Sequence, residues 1–304
     1  MFSAKRSSIS VVIPTYNREE ILCNTIRDLI QLKDQFDELI IVDQTLRHQS
    51  DTELFLSSVP SDVKIIKIPF PNTPNARNVG ARAIRSDIVL YLDDDIKPLP
   101  SLIKYHLRHY EDQDVGGVAG KVISPDGHKG WLDPRYYSSR YPWLYLRFDQ
   151  NWDVREVEGA SGGNMSFRRE LILRLDGFDT HFAGNCYREE TDFCLRLRNS
   201  GYKIIFDPDA SVIHYYESKG GAENFRFGNT NLISFLYYIN FFHNNFYFIL
   251  KHVKRSDLVL FILGLYRAHI ANKENLKKGI GHIGLRNCAF IIGLFKACKS
   301  FLRP

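Results

Sequence analysis

The sequence lacks the cysteine spacing that disulfide frameworks and cysteine metal sites require. It has only five cysteines, an odd number, and no two of them form a C-x-x-C pair. This pattern predicts free, mostly buried thiols in a reducing cytosol. An apolar segment is also missing after the basic residues near the N-terminus, so we expect no signal peptide.

Long uninterrupted apolar runs are missing as well. Residues 232–250 are apolar, but Asn240, His243, Asn244 and Asn245 interrupt them. The runs at 258–266 and 289–295 are far shorter than the ~20 residues that a spanning helix needs. The sequence therefore predicts amphipathic helices that pack on the body or lie in a membrane interface.

What is present is an ordinary globular composition with an uneven charge. The 304 residues are 44% hydrophobic and 25% charged, enough for one large domain or two small ones. From Lys251 onward there are eleven basic residues and two acidic ones, a tail of charge +9 on a body of −4, which together give the chain's +5. This asymmetry indicates an anionic surface as the partner of the tail.

The first hundred residues alternate between strand and helix patterns. Short β-branched runs predict strands at 10–14, 38–42, 63–68 and 87–92, with helical patterns at 18–32 and 75–84. Such alternation predicts βαβ units and a mostly parallel sheet. Ligands bind beyond the carboxyl ends of such strands, so Thr15, Asp43 and Asp93 should converge on one edge.

The pattern changes after Pro100. We expect a strand at 115–123, a loop at 126–153, a glycine turn at 159–164, a helix at 189–200, short strands at 203–206 and 210–214, and helices from about 225. The predicted architecture is a domain at 1–224, with a nucleotide-binding half at 1–100 and an acceptor half at 101–224. A basic, aromatic-rich helical tail at 225–304 follows it.

Three adjacent aspartates, Asp93, Asp94 and Asp95, end the fourth predicted strand. Adjacent carboxylates repel one another, and hard cations such as Mg²⁺ or Mn²⁺ commonly bridge carboxylates to a substrate phosphate. The alternatives are a helix N-cap run before Pro98 and a solvated acidic turn. The acidic turn fits less well, because the cluster ends a buried strand.

Other polar positions keep two interpretations. Asp43 is either a ribose or base acceptor or a plain turn residue. Arg77 either binds a diphosphate or is a surface residue of a helical turn. The acidic run Glu189, Glu190 and Asp192 either complements a helix dipole or supplies a general base. His214, at a strand end, is either a metal ligand or a structural histidine.

Taken together, the motifs resemble the family 2 inverting glycosyltransferases with the GT-A fold. The matching segments, over about residues 9–217, are 11–17 (VVIPTYN), 41–43 (IVD), 76–80 (ARNVG), 91–95 (YLDDD) with Pro100, 162–164 (GGN) before Arg168, 189–192 (EETD) with Arg196, and His214. The fold that the resemblance implies is α/β: a Rossmann-like mixed, mostly parallel sheet flanked by helices, here with a C-terminal helical extension.

The resemblance also implies roles. The donor-binding residues would be Pro14, Thr15, Tyr16, Asn17, Asp43, Arg77, Asn78, Asp93 and Asp94. Asp95, Asp93 and His214 would bind the metal, Mn²⁺ or Mg²⁺, with Asp94 near the ribose. Gly162, Gly163 and Asn164 would border the sugar and acceptor.

Two positions depart from the pattern of the family. Its catalytic base is usually the aspartate of a Glu-Asp pair, and here Glu190 occupies that place, with Glu189 and Asp192 as alternatives. Gln44 stands where many relatives carry an acid, which leaves the nucleobase contact open.

The predicted reaction moves a sugar from a UDP-, dTDP- or GDP-linked donor to a hydroxyl acceptor by one in-line displacement. Two alternatives are a catalytically inactive membrane-associated scaffold of the same fold and a sugar nucleotidyltransferase, whose usual glycine-rich loop is replaced here by Pro14-Thr15-Tyr16-Asn17. We expect a cytoplasmic protein, peripheral on a membrane's cytoplasmic face. Its acceptor would be a glycan that can be lipid-linked, and we expect no nucleic-acid partner.

Overall fold

The computed structural model describes residues 7–125, 148–149, 152–217, 219–221 and 231–302. Most of the predicted loop at 126–153 and the predicted helical start at 225 lie outside these ranges. The strands are β1 (Ile9–Thr15), β2 (Leu39–Asp43), β3 (Val63–Lys67), β4 (Ile88–Leu92), β5 (Ile96–Pro98), β6 (Val115–Ile123), β7 (Arg155–Glu156), β8 (Asn164–Arg168) and β9 (Lys203–His214). The helices are α1 (Glu20–Ile30), α2 (Ser50–Ser58), α3 (Thr73–Ala83), α4 (Leu102–Leu107), α5 (Arg169–Arg174), α6 (Glu189–Asn199), α7 (Asn231–His252), α8 (Leu258–His269), α9 (Lys273–Lys277) and α10 (Ile280–Phe301).

These strands form one mixed sheet in the order β3-β2-β1-β4-β8-β6-β9-β5, with β7 paired to β9. The first four are parallel, as the alternating pattern predicts. Antiparallel β8 joins them to β6, which in turn runs parallel to β9. The sheet is therefore continuous between the two predicted halves of the domain.

Each face of the sheet carries a hydrophobic core. Successive side chains of a strand point to opposite faces, so Val11 and Ile13 pack with α1, α2 and α4. Val12 points to the other core, with α3, α5 and α6. Helix α3 approaches β1 closely at Gly80, where an added Cβ would lie 2.2 Å from Cγ1 of Val12.

One strand differs from the sequence-based expectation. Residues 203–206 and 210–214 were expected to form two short strands, but they belong to the single strand β9. The register against β6 shifts between Gly120 and Lys121, which pair with Asp207 and Ser211. Pro208 has no N–H to donate to a ladder, and the strand absorbs it in this bulge without leaving the sheet.

The C-terminal helices form a third hydrophobic cluster. Phe182, Cys186 and Leu195 of the body pack there with Phe242 and Phe246 of α7. Two carboxylates fasten the contact: Asp179 accepts a hydrogen bond from Lys251 at 2.6 Å, and Asp192 accepts one from His252 at 2.8 Å. Within the described ranges, no helix has both the length and the apolar character that crossing a bilayer demands.

Candidate active site

A polar cleft opens at the carboxyl ends of β1 and β4. Its lining comes from the strand-end loops and from the start of α6: Pro14, Thr15, Tyr16, Arg18, Gln44, Pro71, Asn72, Thr73, Arg77, Asp93, Asp94, Asp95, Gly184, Asn185, Cys186, Glu189, Glu190, His214, Tyr216, Glu217 and Gly221. The convergence follows from the parallel strands, whose carboxyl ends share one sheet edge. Most of the predicted donor and metal positions meet here.

Asp93, Asp95 and His214 form a compact cluster in this cleft. Nε2 of His214 lies 3.1 Å from Oδ2 of Asp93 and 3.3 Å from Oδ1 of Asp95. One ligand atom from each residue lies within 4.8 Å of the other two. The pairing of β5 with β9 sets this geometry, because it places His214 opposite Ile96, next to the aspartates.

The donor set suits a hard divalent cation. Carboxylate oxygens and a neutral imidazole nitrogen are ligands of Mg²⁺ and Mn²⁺. Burial raises the pKa of Asp95, and the nearby charge of Asp93 adds to the effect. Burial would raise the pKa of Asp93 too, but the hydrogen bond with His214 and the charges of His214, Arg77 and Arg18 together lower that pKa. The cluster thus concentrates negative charge that one cation would compensate, and the residues fit the predicted metal.

Asp94 is held differently from its two neighbours. It accepts hydrogen bonds from Oγ1 of Thr15 at 2.6 Å and from Nε of Arg18 at 3.1 Å. Burial raises its pKa to about 7, against the opposing charge of Arg18. Arg18 also bonds Asp95 at 3.2 Å and the carbonyl oxygen of Glu217 at 2.9 Å. Arg18 therefore ties the acidic cluster to the segment that follows β9.

Glu190 lies on the opposite wall of the cleft, in the first turn of α6. Its side chain is partly exposed, and Nη1 of Arg77 lies 3.9 Å from its Oε1. Burial raises its pKa, while the charge of Arg77 acts in the opposite direction. A carboxylate with a raised pKa is a stronger proton acceptor. Neighbouring Glu189 is fully buried and paired with Arg77, which leaves Glu190 as the better placed of the two.

Two consecutive glycines lie between Glu190 and the cluster of Asp93, Asp95 and His214. A Cβ at Gly162 would lie 2.5 Å from Oε1 of Glu190 and 2.4 Å from Nη2 of Arg77. A Cβ at Gly163 would lie 2.8 Å from Oδ2 of Asp93. Any other residue type at either position would thus enter the cleft, and the glycine turn predicted at 159–164 lies against both sets of carboxylates.

Two predicted donor residues lie outside the cleft wall. Asp43 is fully buried and contacts His48 at 2.9 Å and Lys67 at 2.7 Å. Burial would raise its pKa, but these partners and the N–H of Thr45 lower it to about 2. Asn17 is exposed in a left-handed turn with φ of 51°, and its N–H bonds Oγ1 of Thr45.

Three further predicted residues point away from the cleft. The amide of Asn78 bonds the N–H and the carbonyl of Phe178 at 2.7 Å each. Asn164 is buried; its Oδ1 accepts from Nε2 of His106 at 2.8 Å, and its Nδ2 donates to the carbonyl of Ala210. Asp192 is also buried, bonded to Arg196 and His252. All three brace the walls around the site.

Arg18, Asn72 and Asn185 had no counterpart in the predictions from sequence, and Gln44 was named there without its contacts. Arg18 could have been found, because it is a cation in the same strand-end loop as Thr15, facing an acidic cluster. Gln44 braces two loops: its Nε2 donates to the carbonyl of Thr15 at 3.1 Å, and its Oε1 accepts from the N–H of Asn72 at 2.6 Å. Neither Asn72 nor Asn185 carried a sequence signal, since each depends on contacts between distant segments.

Solved structures with the same architecture include two glycosyltransferases. GalNAc-T7, solved with UDP, GalNAc and Mn²⁺, matches with a TM-score of 0.56 and 15% identity over 87% of this chain and 57% of that one. The mannosyltransferase PcManGT from Pyrobaculum calidifontis, solved with GDP-Man and Mn²⁺, matches with a TM-score of 0.56 and 16% identity over 98% of this chain and 88% of that one. At these identities the likeness shows the fold, which is GT-A, as predicted.

Curated relatives point the same way. A glucosyl-dolichyl phosphate glucuronosyltransferase of Haloferax volcanii is 23% identical over 218 residues, 68% of each chain. The pre-mycofactocin glycosyltransferase of Mycobacterium tuberculosis is 26% identical over 69% of this chain and 43% of its own length. The chondroitin synthase of Escherichia coli is 24% identical over 71% of this chain and 35% of its own length. This chain thus spans less than half of the last two relatives. The sequence model of glycosyl transferase family 2 matches residues 10–175, more than half of the chain, and the protein therefore belongs to that family.

Proposed function

We propose that this family 2 glycosyltransferase is metal-dependent and inverting, and that it moves a sugar from a UDP-, dTDP- or GDP-linked donor to an acceptor hydroxyl. One observation carries the proposal. A partly exposed carboxylate, Glu190, and a three-residue metal cluster face the same cleft on either side of Gly162 and Gly163. A base and an electrophilic site for the leaving group are the two parts that glycosyl transfer needs.

Asp93, Asp95 and His214 would hold the cation. Once bound, a Mn²⁺ or Mg²⁺ ion would neutralise charge on the departing nucleoside diphosphate. Thr15 and Arg18 hold Asp94 in place beside this cluster. In our proposal Asp94 faces the ribose, and Pro14 and Tyr16 on the cleft wall contact the nucleoside.

Glu190 accepts the proton of the acceptor hydroxyl as its oxygen attacks the anomeric carbon. The bond to the diphosphate breaks in the same step, through an oxocarbenium-like transition state. One attack from the face opposite the leaving group inverts the anomeric configuration. Arg77 has a positioning role, since its pairing with Glu189 fixes the guanidinium beside Glu190.

The solved neighbours support a nucleotide-sugar donor and a divalent ion without selecting one base. Their structures contain UDP in one case and GDP-Man in the other, each with Mn²⁺. In this chain, Gln44 and Asn72 line the cleft near Thr15. The Gln44 amide is already occupied, because its Oε1 accepts from the N–H of Asn72 and its Nε2 donates to the carbonyl of Thr15. The choice of base therefore depends on the remaining contacts of this wall.

The proposal is tested with Glu190→Gln, which keeps the shape of the side chain and removes its basicity. We expect transfer to fall by roughly 10²–10⁴-fold, while binding of nucleoside diphosphate with Mn²⁺ remains unchanged. Glu190→Asp is the matched control and should retain part of the activity. Unchanged turnover in Glu190→Gln would reject the assignment of the base.

A screen of nucleoside diphosphates and their sugars with Mn²⁺ identifies the donor. Release of nucleoside diphosphate on addition of an acceptor separates transfer from the two alternatives. An inactive scaffold would bind the donor without releasing product, and a nucleotidyltransferase would release pyrophosphate or consume a sugar phosphate.

We further propose that the acceptor is a glycan that can be lipid-linked, reached on the cytoplasmic face of a membrane. Two observations support this location. The name of the Haloferax volcanii relative specifies a dolichyl phosphate substrate, and the chain after residue 250 is strongly basic. Anionic leaflets attract such segments by about 1 kcal/mol for each Lys or Arg near the surface.

A further inference from the structure

Helix α8 exposes apolar side chains where a helix of a soluble protein exposes polar ones. Its sequence from Leu258 to Leu265 is LVLFILGL, yet none of its residues is fully buried. Leu260 is 69% exposed, and Val259 and Leu263 are exposed nearly as much. A helix that is apolar on all sides normally lies inside a core or in lipid, and α8 has only one side against the protein.

Helix α10 also exposes apolar side chains, over a longer stretch than α8. Its inner side packs on α7, where Gly293 lies against Phe242 and Ala289 and Ala297 are buried. Its outer side carries Ile291, Ile292 and Phe295, and Phe295 is 71% exposed. Between Ile280 and Phe295 the outer side has no charged residue, because the only charge there, Arg286, turns inward onto Tyr238.

The two helices are neighbours. The Tyr266 ring of α8 meets the Phe290 ring of α10 edge to face at 5.3 Å, and the Tyr266 hydroxyl donates to Asn287 at 2.9 Å. Their outer sides therefore belong to one connected part of the molecule. Clustered exposed apolar side chains on neighbouring helices are typical of a docking site.

Exposed cations flank or follow these apolar segments in the sequence. They are Lys254, Arg255, Arg267, Lys273, Lys277, Lys278, Lys296 and Lys299. The positive charge argues against a second copy of this chain as the binding partner. Two copies docking through this surface would bring their basic residues together, which like-charge repulsion disfavours. An anionic bilayer offers both an apolar layer for the leucine, isoleucine and phenylalanine side chains and phosphates for the cations.

We propose that the outer sides of α8 and α10 form a monotopic membrane-docking surface, with Val259, Leu260, Leu263, Ile291, Ile292 and Phe295 inserted into one leaflet that contains anionic lipids. The inference rests on the membrane location proposed above and assigns it to named side chains, and it is independent of the proposed catalytic residues. The C-terminal tail would then hold the active site next to the membrane, since α7 connects this surface to the cleft. Asn240 of α7 lies against Gly184 of the cleft, and Lys251 and His252 bond Asp192 of the helix that carries Glu190.

Vesicle flotation with the full chain tests the surface. We expect flotation with phosphatidylcholine vesicles that contain phosphatidylglycerol, weaker flotation with phosphatidylcholine alone, and weakening by salt because the exposed cations are screened. The double variant Ile291→Glu/Phe295→Glu should partition at least about tenfold more weakly. The control Leu54→Glu changes an equally exposed leucine (72%) on α2 and should float like the unchanged chain.

A second measurement reports on the surface without disrupting it. Cys288 is exposed on the outer side of α10, so a polarity-sensitive dye on its thiol, in a Cys298→Ser background, should shift to shorter wavelength when anionic vesicles are added. An unshifted dye together with equal flotation of Ile291→Glu/Phe295→Glu and the unchanged chain would overturn the proposal. Concentration-dependent dimers that only this variant dissociates, without vesicle binding, would also overturn it and assign the surface to a second copy. Donor binding, measured in parallel, keeps this result separate from the test of Glu190.

Discussion

Arg77 and Glu189 form a buried ion pair beside Glu190, so that the carboxylate next to the proposed base has already neutralised the nearest cation. Nη1 of Arg77 remains 3.9 Å from Oε1 of Glu190. An opposite charge at that distance favours the ionised carboxylate and lowers its pKa. The pair with Glu189 limits this effect, and burial keeps the pKa of Glu190 raised.

Glu189→Gln should therefore lower the basicity of Glu190 although Glu190 itself is unchanged. With the Arg77 charge no longer compensated, the pKa of Glu190 should fall, even though Asp93 and Arg188 also act on it. Because activity requires the ionised base, it is lost as pH falls through that pKa. The acidic limb of the kcat/KM profile should thus move to lower pH, with turnover at neutral pH reduced by about tenfold.

A full pH–rate profile of the variant measures this effect. Glu170→Gln, a change of an exposed glutamate on α5, is the control and should leave the limb where it is. If Glu189→Gln lowers activity without moving the limb, the pair has a purely structural role.

The glycine pair predicts two separable defects. In Gly162→Ala the new methyl group meets Glu190 and Arg77, so transfer should fall by at least about 10²-fold while nucleotide and Mn²⁺ binding persist. In Gly163→Ala the methyl group meets Asp93, so Mn²⁺ binding should weaken as well. Calorimetric titration with Mn²⁺ and UDP or GDP, alongside turnover, separates the two.

The matched control is Gly281→Ala on α10, where an added Cβ meets nothing within 4 Å. It should leave both readouts unchanged and can stabilise the helix slightly. Equal loss of metal binding in the two cleft variants would contradict the division of the site.

The sequence predicted the strand-end residues because those features are local. Strands β1, β2 and β4 are short apolar runs with a polar residue at or directly after their ends, and parallel pairing then brings Thr15 and Asp93 to the same edge of the sheet. His214 could be placed for the same reason, as the last residue of a strand. The positions of Asp93 and His214 at strand ends were thus readable from the sequence, whereas the pairing of β5 with β9 that joins them was not.

Other roles depended on side-chain direction or on distant partners. Arg77 and Asn78 are adjacent on α3, but successive helical residues point about 100° apart. Arg77 faces the cleft, whereas Asn78 holds the backbone of Phe178. Asp192 resembled a helix-dipole residue or a base, and its actual partners, Lys251 and His252, lie about sixty residues later in the chain. No local pattern identifies such partners.

The proposed metal-binding role of Asp93, Asp95 and His214 predicts a specific loss of ion binding. In His214→Ala the imidazole contacts with Asp93 and Asp95 disappear, and Mn²⁺ affinity in the presence of nucleoside diphosphate should fall by roughly 10–100-fold. Calorimetry or the Mn²⁺ paramagnetic resonance signal measures this change. His282→Ala, in the C-terminal helices, is the control and should bind the ion normally; equal binding in both variants would exclude His214 as a ligand.

The attachment of α7 to the body should make stability depend on acidic pH. The pKa values of Asp179 and Asp192 are lowered: burial alone would raise them, but Lys251 bonds both, with His181 also bonding Asp179 and His252 bonding Asp192. A lowered pKa in the folded state stabilises the protein above the ordinary aspartate pKa, and this contribution is lost as pH falls through the folded value.

Lys251→Met tests this attachment, because it leaves the two buried carboxylates, Asp179 and Asp192, with fewer partners. It should reduce the free energy of unfolding at neutral pH by about 2–4 kcal/mol. Its stability should also change less between neutral and acidic pH than that of the unchanged chain. Urea unfolding across that range, with the exposed Lys254→Met as control, measures both effects; equal stability of the two variants would show that these bonds do not fasten the tail.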